Sequence, residues 1–278
     1  MISVFGSTGF IGNRFCEIYP NDVVKIPRSE RSCPTSNVLY LISTVDNYNI
    51  FSDPYIDIET NLKILIEVLE NCRANNKEDT VFNFISSWFV YGKDTDLPAK
   101  ENNSCDPKGF YSITKRAAEQ LLISYCETYN MKYRILRLSN VYGTGDKKTS
   151  KKKNALQYMI TEVANNRNIN LYEGGTHIRD FMHVDDVCRA IKLCIDKAEI
   201  NDIINIGTGV GTTILEAMSY IKEKTNSSSQ FINIETPEFH KVVQVENMFL
   251  DVTKINKLNF EPKYGIKEGL DKLLEGCL

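Results

Sequence analysis

Ile2-Ser3-Val4-Phe5-Gly6-Ser7-Thr8-Gly9-Phe10-Ile11-Gly12 is the stretch from which the fold of this chain can be read. A short apolar run breaks into a turn carrying three glycines, and a helix-like segment, Phe10 to Tyr19, follows directly. Strand, glycine-rich turn and helix start, in that order, are the setting that a dinucleotide-binding fingerprint requires. Gly6 permits the tight turn, Gly9 lets a pyrophosphate come close to the backbone, and Gly12 allows the helix to pack against the strand. The free N–H groups at the helix start, those of Phe10 and Ile11 among them, and the positive end of the helix then face the phosphates. The spacing is G-x-x-G-x-x-G, one residue longer in its first gap than the commonest dehydrogenase form.

The next segments set the size of the sheet. Asp22 to Ile26 reads as a second strand and ends in Pro27-Arg28-Ser29. An acidic residue usually holds the ribose 2′-hydroxyl of NAD at this place, whereas a guanidinium suits a 2′-phosphate. Arg28 therefore points to NADP, with NAD the alternative. The third strand, Val38 to Ile42, begins only ten residues after Arg28. A helical crossover needs at least about a dozen residues. The expected fold is thus α/β, a Rossmann-like doubly wound parallel sheet lacking one outer strand, with a smaller α/β substrate-binding part. An amphipathic helix over Ile56 to Cys72, a buried strand over Val81 to Ser86, a helix over Tyr111 to Asn130 and a strand over Lys132 to Leu138 continue the alternation.

Bulk properties exclude several classes. The chain has 278 residues, 42% of them hydrophobic, and a formal net charge of -3. That is enough for a large core, and the slight acidity argues against nucleic-acid binding through bulk charge. No apolar run approaches the ~18 residues that a membrane span requires, so no membrane partner is expected. Met1 abuts the first strand, so no signal peptide is expected either. The eight cysteines are scattered without a C-x-x-C pair, which reads as reduced thiols in a cytoplasmic protein. Neither they nor His177, His183 and His240 share a metal-ligand spacing, and no metal is expected.

Tyr111-Ser112-Ile113-Thr114-Lys115 opens the long helix, and residues four apart lie on one helical face. Lys115 is therefore expected to set its ammonium beneath the Tyr111 ring and pull the phenol below its ordinary value near 10. The spacing alone is common. It gains meaning from Ser86-Ser87-Trp88-Phe89-Val90-Tyr91-Gly92 before it, and from Ser139-Asn140-Val141-Tyr142-Gly143 and Arg179-Asp180-Phe181-Met182-His183-Val184-Asp185-Asp186 after it. Together with the glycine turn these motifs resemble, from residue 2 to about 220, the extended short-chain dehydrogenases/reductases, the NAD(P)-dependent nucleotide-sugar epimerases, dehydratases and reductases.

The resemblance implies roles residue by residue. Ser87 would hydrogen-bond the reacting oxygen, Tyr111 would be its general acid/base, and Lys115 would lower the phenol pKa and hold the nicotinamide ribose. Asn61 would lie near the nicotinamide end of the cofactor, and Asn140 and Arg179 would hold the diphosphate of a nucleotide sugar. His183, Asp185 and Asp186 read as a turn-and-cap group. In the family's 4,6-dehydratases Asp and Glu follow the catalytic Ser/Thr; here Trp88 and Phe89 do, and neither has a proton to exchange. Chemistry at C4 of a nucleotide-activated sugar remains, as a 4-keto reductase or dehydrogenase, with a 4-epimerase as the alternative and a non-catalytic NADP-binding module as the second. The expected partition is residues 1–139 plus 180–206 for the dinucleotide and 140–179 plus 207–278 for the substrate. Relatives often form homodimers through the helices at 56–72 and 111–130, and the lysine run 147–153 reads as a solvated loop or a lid.

Overall fold

A computed structural model of the chain describes residues 1–45, 47–75, 80–145 and 155–275. In chain order, β1 (Ile2–Phe5), α1 (Phe10–Ile18), β2 (Val23–Lys25) and β3 (Asn37–Tyr40) come first. The helix expected over Ile56 to Cys72 has three parts: α2 (Ile56–Ile58), a π-helical turn (Glu59–Lys63) and α3 (Ile64–Ala74). β4 (Val81–Ser87) runs into a 3₁₀ turn (Trp88–Tyr91), then α4 (Phe110–Thr128), β5 (Lys132–Leu138) and β6 (Asn140–Tyr142). After these come α5 (Ala155–Ala164), β7 (Ile169–Tyr172), β8 (Ile178–His183), α6 (Val184–Lys197) and β9 (Asp202–Ile206). The chain closes with β10 (Gly211–Thr213), α7 (Ile214–Lys224), β11 (Phe231–Ile234), α8 (Glu238–Val243), α9 (Thr253–Asn256) and α10 (Ile266–Glu275).

Six strands form one parallel sheet in the order β2-β1-β3-β4-β5-β9. Strand direction of build-up reverses between β1 and β3, the crevice where such sheets bind ligands. Among the described residues β2 is the outermost strand on that side, following β1 directly. Both faces of the sheet are apolar, as helix-covered parallel sheets require. Ile2, Val4, Leu39, Leu136 and Leu138 pack with α1 and α6, while Phe5, Val38, Tyr40, Phe82, Phe84 and Ile135 pack with α3 and α4. The alternation within each strand is the two-residue period of a strand buried on both sides.

The smaller part holds a three-stranded sheet, β10-β8-β6, and a parallel pair, β11-β7. β8 runs across residue 180, where the sequence-based partition sets a boundary. A further cluster joins Trp88, Val90 and Tyr91 after β4 to Val245, Met248 and Leu250. The C-terminal segment is thereby fastened beside the end of β4. The lysine run 147–153 lies outside the described residues.

One expectation is overturned here. Cys33 and Cys72 form a disulfide, with their Cα atoms 5.5 Å apart, rather than standing as reduced thiols. The loop that replaces the missing crossover runs directly onto α3, where Arg31 Nε also donates to Glu67 Oε2 at 2.8 Å. That packing brings together two cysteines 39 residues apart. The other described cysteines are free thiols.

Candidate active site

The glycine turn has the shape of a cradle. Gly6 has φ +80°, a left-handed conformation that costs other residues strain, and a Cβ there would lie 3.0 Å from the Leu41 carbonyl carbon. A Cβ on Gly12 would sit 2.2 Å from the Gly6 oxygen, so only glycine lets α1 approach the turn this closely. Gly9 N-caps α1 through its backbone, and the first intrahelical bond is Asn13 N–H to Gly9 O at 2.8 Å. The N–H groups of Phe10, Ile11 and Gly12 are left pointing out of the helix end, as helix geometry dictates. This arrangement fits a pyrophosphate. Arg28 is exposed just past the carboxyl end of β2, on the same rim of the sheet.

On that rim the sheet also presents Ser87, the last residue of β4, buried and capping the following turn by accepting from Phe89 N–H at 3.3 Å. Tyr111, in the first turn of α4, lies close enough to Ser87 for the Ser87 hydroxyl to favour its ionised form. The Phe89 and Tyr111 rings meet edge to face with their centroids 6.1 Å apart, and Trp88 stacks on Phe89 at 3.8 Å. The two positions that would be acidic in a 4,6-dehydratase are thus an aromatic wall.

Lys115 departs from expectation. Its Nζ donates to the Ile85 carbonyl at 2.6 Å and lies 4.3 Å over the Phe84 ring, so the ammonium is turned onto β4. Burial depresses its pKa to about 7, against a smaller upward pull from Glu119. The Tyr111 phenol is not pulled down. Burial pushes it up to about 12, the Ser87 hydroxyl opposes the rise and the Asp57 carboxylate adds to it. The i,i+4 spacing gives a shared face, but the rotamer that satisfies a buried ammonium on a carbonyl decides where the charge goes.

Asn61 is buried in the π-helical turn and has no capacity left for a ligand. Its Oδ1 accepts from Ser43 Oγ (3.0 Å) and Thr44 N–H (2.8 Å); its Nδ2 donates to Thr44 Oγ1 and Thr114 Oγ1, both at 2.9 Å. It staples the end of β3 to α4. Arg179 is buried as well, donating to the carbonyls of Ile178, Val245 and Glu246 at 2.6–2.8 Å and lying 5.4 Å over Trp88. Burial lowers its pKa to about 10. Its guanidinium ties the C-terminal segment to the site instead of standing free. Asn140 begins β6, with Nδ2 buried and without a partner among the described residues. His183, Asp185 and Asp186 form a turn-and-cap group, but the cap is His183, whose Nδ1 accepts from Asp185 N–H at 3.2 Å. Asp185 meets Arg14 and Lys272, and Asp186 meets Arg189. Among the described residues no cluster could hold a metal.

Two buried acids in these elements escaped the sequence reading. Glu119 takes Arg137 Nε at 3.0 Å and Nη2 at 2.8 Å, one turn beyond Lys115. Asp57 lies on α2 with no exposed surface. The available signal was a lone acid between Ile56 and Ile58 on an apolar stripe, four residues before Asn61.

Comparison with known proteins adds the following. A family model described as the NAD dependent epimerase/dehydratase family matches residues 38–207. A protein named "Putative UDP-glucose 4-epimerase" from Methanocaldococcus jannaschii is 28% identical over 237 residues, 85% of this chain and 75% of the relative. The dTDP-D-glucose 4,6-dehydratase of Bos taurus is 30% identical over 198 residues; that match spans 70% of this chain and only 54% of the relative. Among solved structures, the UDP-glucose 4-epimerase of Thermotoga maritima with UDP-glucose aligns with a TM-score of 0.89 at 24% identity, over 99% of this chain and 97% of that one. RMD from Pseudomonas aeruginosa complexed with NADPH aligns with a TM-score of 0.86 at 20% identity, over 99% and 98%. At such identities the two structures establish a common fold.

Proposed function

The chain belongs to the NAD dependent epimerase/dehydratase family, and from that premise we propose that it is an oxidoreductase acting at C4 of a nucleotide-activated sugar, as a 4-keto reductase or dehydrogenase. The observation that carries the reading is the Ser87–Tyr111 pair at the carboxyl end of β4, on the rim that also bears the Gly6–Gly12 cradle. When bound, the nicotinamide supplies or accepts the hydride. Tyr111 gives its phenolic proton to the oxygen at C4 as a ketone is reduced, and takes it back in the reverse direction. Ser87 holds that same oxygen by its hydroxyl. Lys115, with a pKa of about 7, exchanges its proton near neutrality and is assigned to the nicotinamide ribose. Gly6, Gly9, Gly12 and the N–H groups of Phe10 and Ile11 receive the pyrophosphate, and Asn61 positions α4 rather than touching the cofactor. Asn140 and the face of the small part around Arg179, within 140–179 plus 207–278, take the nucleotide sugar.

Arg28 at the carboxyl end of β2 supports NADP, with NAD the alternative; RMD was solved with NADPH. The 4-epimerase is the second reading, supported by the likeness to UDP-glucose 4-epimerases. Homodimer formation through α3 and α4 is also proposed, since Ile66 and Leu121 are exposed on those helices. The test supplies the purified protein with UDP-glucose or UDP-glucuronic acid alone, and separately with a 4-keto nucleotide sugar and NADPH. NADPH consumption matched by a new C4 alcohol establishes the reductase. Inversion at C4 without net cofactor change establishes the epimerase. If neither occurs while cofactor binds, the non-catalytic module takes their place.

A further inference from the structure

We infer that the Cys33–Cys72 disulfide is a redox clamp on cofactor choice. Oxidised, it fixes the loop that carries Arg28, and the protein prefers a 2′-phosphorylated dinucleotide; reduced, it releases the loop and most of that preference is lost. The inference deepens the proposed cofactor reading and rests on it for the meeting of Arg28 with a 2′-phosphate. Residues 26–36 join β2 to β3 without helix or strand. β2 and β3 lie on either side of β1 and run parallel to it. The loop must therefore return from the carboxyl rim of the sheet to its opposite end. A crossover helix would make that return in a shape of its own. This loop instead takes its position from α3 and β1.

Successive ties mark the descent. Nearest the rim, Arg31 Nη1 donates to the Arg28 carbonyl at 3.0 Å, while Arg31 Nε donates to Glu67 Oε2 on α3 at 2.8 Å. Next, Cys33 is bonded to Cys72, further along the same helix. Last, Ser3 N–H of β1 donates to Thr35 Oγ1 at 2.8 Å and Thr35 N–H donates to Ser3 Oγ at 3.2 Å. These ties differ in strength. The Arg31 and Glu67 side chains are 25% and 41% exposed, and an ion pair so open to water holds little. Without the covalent bond, that pair and the packing of Cys33 are what hold the stretch from Arg28 to Thr35 on α3 among the described residues. A dithiol opens the bond by thiolate attack on one sulfur, passes through a mixed disulfide and leaves as its own disulfide. Two electrons and two protons thereby go to Cys33 and Cys72, which end as thiols. Both are buried, so the exchange proceeds as the loop lifts from α3. A guanidinium grips a phosphate by paired hydrogen bonds that depend on its placement. The Gly6–Gly12 cradle serves the pyrophosphate of either cofactor, so a displaced Arg28 weakens NADPH above NADH.

The test titrates the full chain with NADPH and with NADH, followed by nicotinamide fluorescence, before and after treatment with dithiothreitol. Alkylation and peptide mass record the state of Cys33 and Cys72. The oxidised protein is expected to bind NADPH more tightly than NADH. If about one reduced molecule in ten holds the loop in place, reduction weakens NADPH about tenfold. NADH is expected to weaken much less. Cys33→Ser and Cys72→Ser are each expected to behave as the reduced protein does and to ignore dithiothreitol. They supply the reduced state should the buried bond resist the reagent, and the unmutated protein supplies the comparison should they fail to fold. In Arg28→Gln the preference for NADPH is expected to be low already and to fall no further on reduction. Equal losses for both cofactors mark a general loosening and overturn the inference. Alkylation of both Cys33 and Cys72 without reductant overturns it as well. An oxidised protein with no preference for NADPH refutes the NADP assignment and the clamp with it; a preference that survives reduction refutes the clamp alone.

Discussion

Tyr111 and Lys115, one helical turn apart, are driven by burial in opposite directions on the pH scale, the phenol up and the ammonium down. Both shifts favour the uncharged form, the signature of desolvation. For Lys115 the consequence for stability has a definite sign. Between about 7 and its ordinary value of 10.5 the unfolded chain holds this proton and the folded chain does not. The unfolded state binds more protons in that window, so the Lys115 contribution to stability rises with pH across it. Lys115→Met is accordingly expected to be more stable than the wild type near neutrality, with the gap closing toward about pH 10. Urea unfolding of both proteins at several pH values checks this; a gap that widens with pH refutes it. Tyr111→Phe is expected to lower turnover roughly 10²- to 10⁴-fold with cofactor affinity retained, the range for loss of a general acid. Steady-state rates and a binding titration on one preparation separate the two effects.

At the scale of elements, α1 meets β1 through one glycine pair. Gly12→Ala would place a methyl 2.2 Å from the Gly6 oxygen, backbone that cannot move aside as a flexible side chain would. A loss of about 1–3 kcal/mol is expected from such overpacking, together with weaker cofactor binding as the helix end shifts off the turn. Denaturant titration and cofactor binding measure both; unchanged binding would argue against the cradle. This element was legible in the sequence because each glycine has a local reason at a fixed offset. The composite α2–π–α3 helix was not: the stripe of Leu62, Leu65, Ile66 and Leu69 predicts a helix but does not count the residues in one wide turn. The places of Arg179 and Lys115 were legible, whereas the carbonyls they bind come from segments distant in sequence, Val245 and Glu246 for one and Ile85 for the other.

Over the whole molecule, the position of β2 at the sheet edge was readable from spacing, because the ten residues before the next strand are too few for a crossover. The disulfide was not readable: Cys33 and Cys72 follow no motif and meet only because the shortened loop lies on α3. Closing a 39-residue loop stabilises by roughly 2–4 kcal/mol through the unfolded chain. Cys33→Ser is expected to unfold at lower denaturant by that margin, and reductant to destabilise the wild type but not the variant. The outermost place of β2 has a cost of another kind. With no strand beyond it among the described residues, β2 offers an edge onto which a second chain can add and begin an aggregate. It is three residues long, ends in exposed Lys25 and is followed two residues on by exposed Pro27, features that blunt such addition. Replacing both by valine is expected to leave the fold intact and make concentrated solutions turn cloudy on warming, followed by light scattering. At this bare edge two side chains are left to keep the molecules apart.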